Sequence, residues 1–228
     1  MFFYDPTYIL VILGFLFATI ASTGVQSAFR KYSEVKSYRR YTGADAARKI
    51  LDDNGLYNIR VEHISGNLSD HYDPTANVIR LSDSTYASDS VAAIGVAAHE
   101  AGHAVQHAVG YVPIKVRNAI VPVVNICSTL SMPLFIIGLL LGAAGLANIG
   151  IILFSGALVF QLVTLPVEFD ASRRALKILN TSAMLDEEEL RGAKKVLRAA
   201  AMTYVAAVLS SALQLLRLIM LNNSRNRD

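Results

Sequence analysis

The stretch His99-Glu100-Ala101-Gly102-His103 has the types and spacing to do chemistry. Side chains four apart on a helix share one face. Two imidazoles so placed can hold one Zn²⁺ through bonds of ~2.0–2.1 Å. Glu100 lies beside the first of them, where it can take a proton from water acidified by the metal instead of binding the metal. Ala97, Ala98, Ala101, Gly102 and Ala104 are small and let other elements come close. The plainer alternative is two surface histidines and a glutamate on an ordinary helix.

A catalytic zinc takes three protein ligands and keeps a fourth position open. His107 continues the same face, but it stands eight residues beyond His99, roughly 12 Å along the axis at 1.5 Å per residue. It cannot share a metal with both His99 and His103, so it reads as a residue that supports the site or packs the helix. Glu168 is the better third ligand. It stands in Leu165-Pro-Val-Glu-Phe-Asp-Ala-Ser-Arg-Arg174. An acid beside the lipid boundary is costly to place without a role. Asp170 either orients a ligand histidine or is simply solvated.

Membrane topology closes the long gap between His103 and Glu168. The chain has 228 residues, 53% of them apolar and 17% charged, with a mean hydropathy of +0.40. That balance belongs to the membrane class. A net charge of +3 without a basic, aromatic-interleaved block excludes a nucleic-acid partner. One cysteine, Cys127, allows no intrachain disulfide. Ile9–Ala28 is uncharged and long enough for one crossing, and Asn118–Val167 is uncharged and long enough for two. Ala199–Leu216 lies between Arg198 and Arg217. Spans are predicted at about 8–28, 119–142, 147–166 and 199–220, with the small residues of 142–150 turning the central hairpin. The first span has no basic n-region and reads as an uncleaved anchor.

This divides the chain into an anchor at 1–29, a cytosolic segment at 30–118, a hairpin at 119–166, cytosolic helices at 167–198 and a last span with tail at 199–228. Of the 21 basic residues, 18 fall in 30–117 and 168–198. The positive-inside rule places both segments in the cytoplasm and the N-terminus outside. The hairpin leaves and re-enters on that side, so it returns Glu168 toward the histidines.

Within the soluble segments, helical spacing predicts a helix over 43–54 that ends at Asn54-Gly55. A strand is expected over 58–65 and a hairpin over 70–81. A helix is predicted from about Ser90 to Ala108, with Ser88 or Asp89 as N-cap. Helices are also expected over 166–179 and from Asp186, where Glu187, Glu188 and Glu189 suit the helix dipole rather than a metal. Val78–Ser82 is a candidate edge for an extended substrate. Arg173, Arg174, His71 and Tyr72 are candidate oxyanion donors, and the sequence does not choose among them. Substrate-binding residues are otherwise unassigned.

Three stretches carry a family resemblance: His99-Glu-Ala-Gly-His-Ala-Val-Gln-His107, Leu165-Pro-Val-Glu-Phe-Asp-Ala-Ser-Arg-Arg-Ala175 and Leu190-Arg-Gly-Ala-Lys-Lys-Val-Leu-Arg-Ala-Ala200. With them the chain resembles the YugP-type membrane zinc metallopeptidases over nearly its whole length. It is more remotely similar to the HtpX and prenyl-protein peptidase gluzincins. Those more often show Ala-Asp at the third and fourth positions after the ligand Glu, where this chain has Ala171 and Ser172.

The resemblance implies a helical multi-pass protein of a bacterial plasma membrane, with a small cytosolic α+β zincin-like domain. It implies one Zn²⁺ per chain, held by His99, His103 and Glu168, with Glu100 as catalytic base. The implied reaction is endopeptidase cleavage, without a substrate; the nearness of Glu168 and His103 to predicted spans points to membrane-associated proteins or peptides, cleaved at the cytosolic surface, with the lipid bilayer as a further partner. The alternatives are an inactive zinc-binding scaffold and a non-peptidase zinc hydrolase.

Overall fold

A computed structural model describes residues 5–225, with the side chain of Arg225 left out. Nine elements follow in order: α1 (Tyr8–Ser33), α2 (Gly43–Asp53), β1 (Arg60–Ile64), β2 (His71–Asp73), β3 (Val78–Ser82), α3 (Val91–Ala108), α4 (Val112–Leu141), α5 (Ala144–Thr181) and α6 (Glu187–Arg225). The protein is mostly helical, and α1, α4, α5 and α6 are long and apolar enough to cross a membrane.

The chain forms two compact units. One comprises the residues up to Ser22, Val116–Leu165 and those from Thr203 on. Small residues let its helices touch. A Cβ on Gly138 would lie 2.4 Å from the Ala147 amide nitrogen, and one on Gly150 would lie 2.6 Å from that of Phe135. Phe135, Ala147 and Leu218 form its buried cluster. The turn of the hairpin is tighter than the small-residue run suggests. Only Gly142 and Ala143 separate α4 from α5, with Gly142 at φ +71°. The Gly and Ala residues beyond them continue as helix, because a chain in lipid must satisfy its backbone internally.

The second unit comprises Thr23–Lys115 and Pro166–Met202. Its strands form a sheet in the order β1-β3-β2, with β1 parallel and β2 antiparallel to β3. The expected edge strand, Val78–Ser82, is therefore the central strand. Its side chains Val78, Ile79 and Leu81 are buried, which is the pattern of a strand covered on both faces. The short β2 is an edge instead. Ile50 and Leu51 of α2, Ile79 and Leu81 of β3, Ile94 and Ala98 of α3, and Leu179 of α5 share one core.

Local sequence fixes the helix starts. Thr42 and Asp45 form a reciprocal capping box on α2. Ser90, and not Ser88 or Asp89, caps α3, its hydroxyl accepting from the Ala93 amide at 3.2 Å. Asp89 instead pairs with Lys36 and Arg40. At α6 the acidic run behaves as a cap. Asp186 accepts from the amides of Glu188 and Glu189, and Glu189 accepts from the amides of Asp186 and Tyr38.

Candidate metal centre

The site lies wholly within the second unit, on α3, α5 and β2. His99 and His103 are one turn apart on α3, with ring centroids 4.6 Å apart at 83°. Glu168 on α5 is 2% exposed. Its Oε2 lies 3.3 Å from His99 Nε2 and 3.6 Å from His103 Nε2. One ligand atom from each of the three residues falls within 4.8 Å of the others. Two ligands bound tetrahedrally at ~2.0–2.1 Å stand about 3.3 Å apart, so the spacing fits a zinc ion.

Gly102 makes this meeting possible. A Cβ there would sit 2.8 Å from the carbonyl oxygen of Ala171. Its absence lets α5 approach α3 backbone to backbone. Glu168 lies one turn before Ala171, and Ser172 directly follows it. Both therefore face the histidines.

The partners of the two rings set which nitrogen of each faces Glu168. The Gln106 amide nitrogen donates to the Val167 carbonyl at 2.8 Å and to Asp170 Oδ2 at 2.9 Å. Its oxygen must then face His103 Nδ1, 3.0 Å away, and that nitrogen carries the proton. Ser172 Oγ lies 3.1 Å from His99 Nδ1. Both Nδ1 atoms are engaged, and both Nε2 atoms face Glu168. For His103, a proton on Nδ1 is the neutral tautomer that can bind a metal through Nε2.

Gln106 and Ser172 were not identified from sequence. Gln106 is fully buried three residues after His103, and Ser172 is four residues after Glu168. Each shares a helix face with a candidate ligand, and Ser172 also stands where the HtpX and prenyl-protein peptidases more often have Asp. Asp170 touches Gln106 at 2.9 Å, and Arg173 and Arg174 bind its carboxylate at 3.0 and 2.5 Å. His107 is directed elsewhere, its ring packing edge-to-face on Tyr72.

Glu100 is 9% exposed, and its Oε2 accepts from the Tyr72 amide at 2.9 Å. Tyr72 stands on β2, at one end of the strand order β1-β3-β2. The other candidate oxyanion donors are engaged elsewhere. His71 contacts the Ser69 carbonyl and Arg80, while Arg173 and Arg174 hold Asp170. Tyr72 is the one the structure sets beside Glu100.

Burial pushes the Glu100 carboxyl above the usual carboxylate range, although the nearby imidazoles oppose it. Burial also works against ionisation of Glu168, but hydrogen bonds to His103 and His99 win and hold it well below that range. For His103, burial favours the neutral ring, yet Glu168 and Glu100 together raise it above the usual imidazole value.

Residues 7–223 match the model of a protein family described as "Putative neutral zinc metallopeptidase". The chain is 50% identical over 215 residues to "Putative membrane protease YugP" of Bacillus subtilis (strain 168), covering 91% of this chain and 96% of that protein. No solved structure matches the chain.

Proposed function

Because this chain belongs to the neutral zinc metallopeptidase family, we propose that it is a gluzincin-type endopeptidase acting at the cytosolic face of the membrane. The observation that carries the reading is the meeting of three ligand atoms within 4.8 Å, with the buried Glu100 next in sequence to one ligand. His99, His103 and Glu168 would hold one Zn²⁺. When bound, zinc supplies Lewis acidity, making water a better nucleophile at neutral pH and polarising the scissile carbonyl.

Glu100 does the proton work. Its raised proton affinity suits a group that accepts a proton from water and later gives it to the leaving amine. The Tyr72 amide fixes the direction of its carboxylate. Gln106 and Ser172 keep the ligand rings in register. The edge of β2 beside Glu100 is where an extended peptide would lie, so the docking role expected of Val78–Ser82 moves to His71–Asp73.

Glu168 directly follows the uncharged stretch ending at Val167, which favours substrates that are themselves membrane-associated. The Lys and Arg distribution favours a cytoplasmic site.

The test uses the full chain in detergent, measuring zinc content and cleavage of an unfolded membrane protein with and without chelator. Glu100→Gln should keep the zinc and lose cleavage. A fully active Glu100→Gln protein overturns the mechanism. Zinc binding without any hydrolysis by the wild type would instead favour the scaffold reading.

A further inference from the structure

A groove of about 380 Å³ opens between α5 and α6 in the second unit. This is within the range of ligand sites, ~300–1,000 Å³. Phe169, Leu176, Leu197 and Ala201 give it apolar walls. Arg173, Lys194 and Arg198 bring three positive charges, and among the described residues no acid lines it. Both walls follow helical spacing. The α5 wall is formed at 169, 172, 173 and 176, and the α6 wall at 194, 197, 198 and 201. Arg173 is itself exposed but already holds the buried Asp170 carboxylate at 3.0 Å, so its part in the groove is shared. Lys194 and Arg198 are exposed and make no ion pair among the described residues.

The groove has a direction. On α5, Phe169 lies two residues beyond the end of the uncharged stretch at Val167. On α6, Ala201 lies inside the uncharged run that starts at Ala199. The apolar walls therefore begin beside the segments that cross the bilayer, and Lys194 and Leu176 lie at the ends farther from them. An anion with a hydrocarbon tail matches this order of chemistry. A soluble anion would leave the apolar walls wet.

We propose that the groove binds one anionic phospholipid. Its phosphate is held by Lys194 and Arg198 with help from Arg173, and its acyl chain runs along Leu197, Phe169 and Ala201. Juxtamembrane Lys and Arg attract anionic lipid in this way. Ser172 also lines the groove, so the lipid would lie against the residue that contacts His99. The inference requires neither zinc nor hydrolysis, and its failure leaves the peptidase reading untouched.

The full chain is purified in detergent and exposed to phosphatidylglycerol, phosphatidylcholine or inorganic phosphate, and retained molecules are counted by native mass spectrometry. We expect one phosphatidylglycerol per chain, retained at least tenfold better than phosphatidylcholine. The double variant Lys194→Gln/Arg198→Gln should lose that preference by about tenfold and melt like the wild type. Lys195→Gln, exposed on the same helix but outside the groove, should retain the lipid. Equal retention of the two lipids by the wild type overturns the proposal whatever the variants do. So does an equal loss in Lys195→Gln, or displacement of phosphatidylglycerol by inorganic phosphate.

Discussion

Gln106 offers the most direct measure of how much the residues around the ligands matter. Its side chain is fully buried and makes three contacts, to His103 Nδ1, the Val167 carbonyl and Asp170. Gln106→Met keeps the length and removes all three. The losses are unequal. Asp170 keeps Arg173 and Arg174. The Val167 carbonyl lies inside α5, where the helix itself supplies a donor. The His103 Nδ1 proton loses its acceptor in a buried place, at a cost of ~1–3 kcal/mol. Loss of a group that orients a metal ligand lowers metal affinity by ~10–100-fold, or about 1.4–2.7 kcal/mol at ~1.36 kcal/mol per tenfold.

The assay is chelator competition on the full chain in detergent at fixed pH, with a melt in excess zinc to separate affinity from stability. Gln106→Glu is the informative partner. It restores an acceptor for His103 but sets a carboxylate against Asp170, so zinc affinity should recover more than stability does. If Gln106→Met folds and binds zinc within twofold of the wild type, the tautomer argument is wrong.

Other consequences are open to measurement. Removing the base with Glu100→Gln should cut cleavage by ~10²–10⁴-fold, the usual worth of a positioned base, with zinc content unchanged. Ser172→Ala should weaken zinc binding by roughly tenfold, and Ser172→Asp should restore it by giving His99 a stronger acceptor; equal affinities for the two variants would deny Ser172 this role. Gly102→Ala places a Cβ 2.8 Å from the Ala171 carbonyl oxygen. It should cost ~1–3 kcal/mol by forcing α3 and α5 apart, read as a lower melting temperature and a lower zinc affinity.

The pH response should have opposite signs with and without zinc. The metal-free fold raises the His103 pKa above its ordinary value. Its protonation therefore stabilises the metal-free protein fully below ~6.5, and that contribution is lost as pH rises through the folded value. Zinc needs the neutral ring, so its affinity should rise over the same window, with proton release on binding. Melts and zinc titrations across pH 6–8 that shift in the same direction would contradict this.

How much of the site is legible in the sequence depends on the range of the contact. His99 and His103 face the same way because a helix repeats every 3.6 residues, a property of α3 alone. Glu168 lies 65 residues beyond His103, yet counting membrane crossings was enough to nominate it. Gln106 and Ser172 escape that kind of reasoning. Their role depends on the rotation of α5 about its own axis against α3, which is set where Gly102 meets Ala171. No periodicity within one helix encodes that rotation.

The misassigned strand has a similar cause. Alternation and turn residues locate Val78–Ser82, but its position depends on β1 returning to pair with it in parallel, and β1 is separated from β3 by the whole of β2. The same return leaves the open edge to β2, whose Tyr72 amide reaches Glu100. One long-range pairing thus decides which strand flanks Glu100 and which amide orients it. The chemistry of the site is written in short motifs, while its geometry comes from two tertiary meetings, β1 on β3 and Gly102 on Ala171.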